Sequence, residues 1–313
     1  METNHQPKLK RKLGFWASLG GSVGLVVSGT AMVSVGAVAG QAGSGTWLIA
    51  LIALIPMLAV ACAYGELTSM LPGGGMISDF TMPALGKFWS IQSILYGYIL
   101  LVACDGGTQQ IVGALAFQEL TGIPYLPVVI VMMVLVVAVN VFGVEIYGRV
   151  EVFLTLAMMI VFFLVSTAGF FGLGESMGVA SKAHEITPFA PENGWTAAMM
   201  CAGTAVWWYI GFEFVCPMAE ENKEPHKNIP KALIAGLIIV FLTDVFFAMG
   251  AAKYADIAAL AASSTPQIVG AKAMLGQFGY IVTIFITILA AITSAIAHVS
   301  ALPRMLYGMA HKD

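Results

Sequence analysis

Charge is what this sequence has least of. Only 10% of its 313 residues are Asp, Glu, Lys or Arg, against about 25% in an ordinary globular domain. A soluble fold of this size could not cover its surface with so few charges, so lipid is the natural solvent for much of the chain. The 14 Lys and Arg nearly cancel the 17 Asp and Glu, and no basic patch with interleaved aromatics offers a surface to nucleic acid. Cysteine is scarce as well. Cys62, Cys104, Cys201 and Cys216 stand singly in apolar segments without C-x-x-C spacing, which fits small hydrophobes better than disulfides or metal ligands. Period-two alternation is missing over any useful length, so a β-barrel is not indicated. The sequence holds no H-E-x-x-H, G-x-S-x-G or phosphate-binding Gly loop; the GGG at 73–75 follows Pro72 at a helix end and marks a turn. These absences argue against an enzyme, and no cofactor or metal is expected.

What is abundant is apolar sequence: 59% of the residues are hydrophobic and the mean hydropathy is +0.88. A helix needs roughly 20 apolar residues to cross a bilayer. By that measure there are eight candidate spans, at 14–40, 46–70, 89–119, 124–143, 150–173, 195–219, 230–252 and 272–302. The N-terminal stretch imitates a signal peptide, but its apolar run is much longer than the roughly 7–15 residues of such a segment, and it reads as a retained first span. Placing the N-terminus inside leaves only Lys182, Lys253 and Lys272 outside, with the other eleven of the 14 basic residues inside. The positive-inside rule therefore puts both termini in the cytoplasm, and a bacterial inner membrane is the expected location.

Two of these spans are interrupted. Span 1 carries Gly24, Ser28, Gly29 and Thr30 in its middle, and span 6 reads VWWYIGFEFVCP, with Glu213 between Gly211 and Pro217. Either interruption alone suits close helix packing. Interruptions at the start of two successive five-helix units instead point to a transporter with inverted repeats. Unwinding frees backbone groups that lipid cannot satisfy and a bound solute can. Half-helix N-termini favour a carboxylate and bare carbonyls an ammonium group or small cation, an arrangement suited to an amino-acid zwitterion.

Four motifs also resemble one family. YGELTSMLPGGG at 64–75 is similar to Y-x-E-L-x4-P-x-x-G at the end of span 2, and NVFGVEIYGRVE at 140–151 to the junction of spans 4 and 5. GFEFVCPMAEENKEPHKNIPKAL at 211–233 resembles G-F-E…A-E-E-x-x-x-P-x-x-x-I-P, and PRMLYGMAHKD at 303–313 the R-x-L-Y-x-x-A-x-x-D that ends span 8. Together they resemble the amino acid–polyamine–organocation permeases. The resemblance implies an all-α integral membrane protein with a LeuT-like 5+5 inverted repeat and discontinuous spans 1 and 6. Members usually have twelve spans, so the second repeat is expected to be incomplete here and the chain resembles a permease truncated after span 8. The expected organisation is a basic tail at 1–13, a first repeat at 14–173, an extracytoplasmic loop at 174–194 and a partial second repeat at 195–313.

What the resemblance implies for activity is secondary transport of amino acids or related amines by alternating access, with a proton or sodium as coupling ion. The alternative is a non-transporting sensor or assembly subunit, or an inactive fragment of a permease. The expected binding residues are Ser28, Gly29, Thr30, Cys104, Asp105, Trp207, Ile210 and Gly211, with Trp207 matching the family's aromatic lid. Glu213 on the broken span can bind and release a proton or tie the unwound segment together. No Lys or Arg lies in the apolar interior of any span to neutralise Asp105, which marks it as functional by default. Gln109 and Gln110 suggest that its helix face is wet. His298 is either a relay or a packing residue, Glu66 and Arg304 either an inner gate or interfacial anchors, and Asp244 an interhelical hydrogen-bonding group. Thr293 and Ser294 offer hydroxyls to sodium, although such pairs are common in spans. The oligomeric state is left open.

Overall fold

The computed structural model describes residues 11, 13–73, 75–142, 144–179, 187, 189 and 191–310, with the side chains of 142–151 and 300–310 outside that description. Most of the basic tail, residues 180–186, 188 and 190 of the 174–194 loop, the side chains of the 303–313 motif and the Glu66–Arg304 pairing therefore lie outside the described residues.

Every named element is helical, and one parallel bridge joins Leu13 to Asn222. In order they are α1 (Phe15–Gly24), α2 (Gly29–Ala42), α3 (Thr46–Met70), α4 (Ile77–Ile94), α5 (Leu101–Thr121), α6 (Tyr125–Phe142), α7 (Val144–Phe170), α8 (Leu173–Ser176), α9 (Gly194–Met200), α10 (Ala202–Trp207), α11 (Pro225–Tyr254), α12 (Ile257–Ala262) and α13 (Pro266–Ala310). A π-helical turn, Leu95–Leu100, runs into α5, and a 3-10 segment, Phe212–Glu221, follows α10. Among the described residues six helical stretches are long and apolar enough to cross a membrane, and Tyr125–Val141 is a shorter apolar helix. α6 exposes Leu126, Ile130, Val134, Val137 and Val141, a helical stripe with no polar atom that fits a face against lipid.

Both interruptions are real breaks. Span 1 divides into α1 and α2 across residues 25–28, and the Ser28 Oγ caps α2 by accepting the Ala31 N–H at 3.2 Å. Span 6 divides where α10 ends in a turn and Gly211 takes φ 111° before the 3-10 segment. Ser28→Ala removes the cap and is expected to destabilise the protein by about 1 kcal/mol; a thermal melt in detergent that matches wild type would show that the break needs no cap.

The halves of span 1 are held differently. At its N-terminal end the Leu13 N–H donates to the Glu221 carbonyl at 3.0 Å, its own carbonyl accepts the Lys223 N–H at 2.9 Å, and Asn222 Nδ2 donates to Ser18 Oγ at 2.6 Å. α1 is thereby tied to the end of the 3-10 segment. α2 instead lies against α12 and the start of α13 through two glycines. A Cβ at Gly36 would fall 2.7 Å from the Gln267 backbone nitrogen, and one at Gly40 2.5 Å from that of Ala261. α11 packs on α3 and α7 behind them, and α13 lies along α5 and α7.

Candidate functional site

The two breaks meet beside α5. A cavity of about 410 Å³ is lined by Thr30, Tyr96, Leu100, Leu101, Cys104, Asp105, Thr108 and Trp207. A smaller space of about 20 Å³ continues from it between Leu25, Ser28, Ile210, Gly211, Phe214 and His298, sharing Leu101, Asp105 and Trp207 with the first. The larger volume lies in the range of small-molecule sites.

Asp105 is 8% exposed and stands where the spaces join. Its Oδ1 accepts from Thr30 Oγ1 at 3.2 Å, and its Oδ2 accepts from Gln109 Nε2 at 3.1 Å. The same Gln109 nitrogen donates to Thr30 Oγ1 at 2.8 Å, and Gln109 Oε1 accepts the Thr30 N–H at 3.3 Å. Gln109 is one turn beyond Asp105 on α5, so both side chains lie on one face and together grip the first turn of α2. His298, on α13, places Nε2 3.5 Å from Asp105 Oδ2. The carboxylate thus joins three helices.

The unwound part of span 6 supplies backbone. Among the described residues the carbonyls of Trp208, Tyr209 and Ile210 accept no hydrogen bond, and the Gly29 N–H at the start of α2 makes none. Such groups are costly unless a partner reaches them. Glu213 Oε2 accepts the Gly211 N–H at 3.1 Å, folding the carboxylate back over the break, and Tyr98 approaches it from the π-helical turn. The Tyr98 hydroxyl also meets that of Tyr64 at 3.0 Å.

The structure brings Thr30, Cys104, Asp105 and Trp207 to the main cavity and Ser28, Ile210, Gly211 and His298 to the small one. Gly29 is buried behind them against Gln109 and Val112. Glu213 lines neither space, and Glu66 is exposed on α3, away from both. The expectation of a wet face at Gln109 and Gln110 does not hold. Both are buried, Gln109 within the Asp105 network and Gln110 with both amide atoms unpartnered, because α13 packs along that side of α5. Asp244 is buried near Tyr209, and no hydrogen bond to it is found among the described residues. Thr293 turns its hydroxyl to the Leu289 and Ala290 carbonyls of its own helix, at 2.9 and 3.2 Å, and Ser294 Oγ is buried without a partner. Sequence reasoning did not place Tyr96, Leu100, Leu101, Thr108 or Phe214 at the cavity. Spacing of three or four residues from Asp105 was the available signal for Leu101 and Thr108, since residues so spaced share a helix face. Tyr96, nine residues away, Leu100 and Phe214 had none.

Over its whole length the chain superimposes on 70% of Mhp1, a nucleobase-cation-symport-1 family transporter in a closed conformation with bromovinylhydantoin bound, with a TM-score of 0.57 and 16% identity. That likeness shows the fold. The branched-chain amino acid permease BcaP of Bacillus subtilis is 25% identical over 76% of this chain and 53% of its own length. The inner membrane transport protein YbaT of Escherichia coli is 26% identical over 96% of this chain and 69% of its own. The chloroplastic cationic amino acid transporter 9 of Arabidopsis thaliana is 26% identical over 74% of this chain and 43% of its own. The chain therefore spans between about two fifths and seven tenths of these relatives. The amino acid permease family model matches residues 15–313, taking in both breaks and the carboxylate between them, and this integral membrane protein belongs to that family.

Proposed function

We propose that the chain moves amino acids or related amines across a membrane by proton-coupled secondary transport with alternating access. The observation that carries this reading is the meeting of two broken helices at one cavity beside a buried carboxylate. In the proposed pose the substrate ammonium reaches the bare carbonyls of Trp208, Tyr209 and Ile210. Its carboxylate reaches the N-terminus of α2, where the positive end of the helix dipole and the Gly29 N–H favour an anion. The Thr30 and Ala31 N–H groups are already taken by Gln109 and Ser28, which narrows the carboxylate site to the opening turn. Trp207, which borders both spaces, closes over the side chain. Membership of a permease family and relatives named as amino acid transporters support the substrate class.

In the same reading both termini are cytoplasmic, the location is a bacterial inner membrane, and residues 14–173 form the first repeat with 195–313 contributing to the second. Asp105, Glu213 and His298 are the groups near the cavity able to exchange a proton. Glu66, outside the cavity, is left a gating role at the inner face.

The test is uptake of a radiolabelled panel of amino acids and amines into proteoliposomes, with and without a pH gradient. Saturable uptake driven by an inward proton gradient is expected, and Trp207→Ala should raise KM by about 10-fold or more, as removal of a large aromatic contact does. Well-folded protein that takes up nothing from a broad panel would sink the proposal.

A further inference from the structure

Resting on the transport reading above, we infer that Asp105 and His298 form one proton-binding unit that couples proton entry to substrate movement, and that Glu213 serves the break instead. Three observations carry this. His298 is 5% exposed and its Nε2 sits 3.5 Å from Asp105 Oδ2. Its other ring nitrogen, Nδ1, is buried with no hydrogen-bond partner. The pair also stands where the two spaces join, between the first turn of α2 and the unwound part of span 6.

The chemistry follows from the imidazole inventory. In the neutral ring one nitrogen carries hydrogen and the other a lone pair. With Nε2–H turned to the carboxylate, Nδ1 holds the bare lone pair, and a proton arriving there makes an imidazolium beside a carboxylate. Only an N–H bond forms, and the proton returns to water on the opposite side when that bond breaks. Exchanging the ring nitrogens leaves the same arrangement, one nitrogen at the carboxylate and one open. Because the two groups lie 3.5 Å apart, a proton gained by one is felt by the other.

Protonation also changes what the cavity presents. The unprotonated pair is a net anion bordering both spaces, and the protonated pair is neutral. Asp105 holds α2 through Thr30 and Gln109, and the Phe214 ring of the 3-10 segment lies edge-on to His298 at 6.5 Å between centroids. A change of charge at the pair is therefore felt directly by both broken helices. Glu213 lacks that position: it lines neither space and is committed to the Gly211 N–H.

Other titratable groups nearby are Cys104 on α5, Tyr98 on the π-helical turn, packed on Phe214 at 5.6 Å, and Glu213 itself. Asp244 on α11 lies toward Tyr209. No titratable residue occurs in α2, in residues 152–170 of α7 or in α12, while α6 has only Tyr125 at its start. α8 contributes Glu175, bonded to Tyr254, and on α13 itself Lys272 lies over Tyr280 near the other end. None of the described lysines or arginines reaches the pair, so His298 is its one basic member.

The experiment compares wild type with His298→Gln and Glu213→Gln in proteoliposomes, using the panel compound that wild type takes up best. The readout is the ratio of gradient-driven uptake to exchange at equal pH. His298→Gln should lower that ratio about 10-fold or more, within the usual span of coupling between sites. A ratio preserved in His298→Gln, or lost only in Glu213→Gln, overturns the assignment while leaving the transport reading intact. Wild type without uptake or exchange overturns the transport reading itself. Should His298→Gln misfold, 15N-histidine NMR on the wild type decides. The His298 resonance should change with pH and shift on Asp105→Asn; a ring held in one protonation state throughout overturns the proposal.

Discussion

Gly211→Val should abolish transport and destabilise the protein, and it is the most damaging single substitution expected here. At φ 111° the backbone lies where side-chain-bearing residues seldom go, and that strain alone costs about 1–3 kcal/mol. A Cβ there would also stand 3.0 Å from the Leu25 Cβ and 3.3 Å from the Leu25 carbonyl carbon, at the other break. The backbones cross because one has no side chain, so valine must drive the breaks apart. Displacing bare carbonyls from the cavity by about an ångström should cost on the order of 100-fold in rate. Proteoliposome uptake and a thermal melt check both halves of the result. Gly203→Ala is the control. It lies in α10 with nothing within 4 Å of its missing Cβ, and it should transport normally. Full activity in Gly211→Val would mean that the breaks need not touch.

Asp105→Ala comes second. It strips an acceptor from Thr30 Oγ1 and another from Gln109 Nε2, and it leaves His298 without its carboxylate. The donors it leaves behind are buried without an acceptor, at about 1–3 kcal/mol for each such group. The opening turn of α2 loses its lateral hold at the same time, so substrate affinity should fall along with melting temperature. Asp105→Asn keeps one oxygen and should recover much of the stability without the charge, which separates the network from its electrostatics. If Asp105→Ala melts and transports like wild type, the carboxylate is not central to the site.

Much of this was legible in the sequence because membranes enforce simple rules. A span must be apolar for its length, so 14–40 and 195–219 declare themselves, and a Gly or Pro inside one stands out because lipid cannot mend a broken helix. Asp105 was legible for the same reason: an isolated carboxylate in a span is expensive. Its partner was less so. His298 lies 193 positions away, and a lone histidine among small residues gives no hint of which helix it faces. The Gln109 and Gln110 pair misled because polarity alone does not say whether water or another helix meets it; α13 decided that. Glu213 carried the most specific motif, yet its neighbours do not reveal that it turns back onto Gly211 rather than toward a ligand.

The two ways of holding span 1 have a mechanical consequence. α1 is clasped at Leu13 and Ser18 to residues 221–223, while α2 is wedged by Gly36 and Gly40 against the backbones of α12 and α13. Both halves also pack on α11, so it is their ends, not their whole lengths, that are fixed to different neighbours. Any displacement of those neighbours relative to one another would fall on the four residues 25–28, where no continuous helix resists it. In the transport reading proposed above, the break would then be a hinge as well as a binding surface.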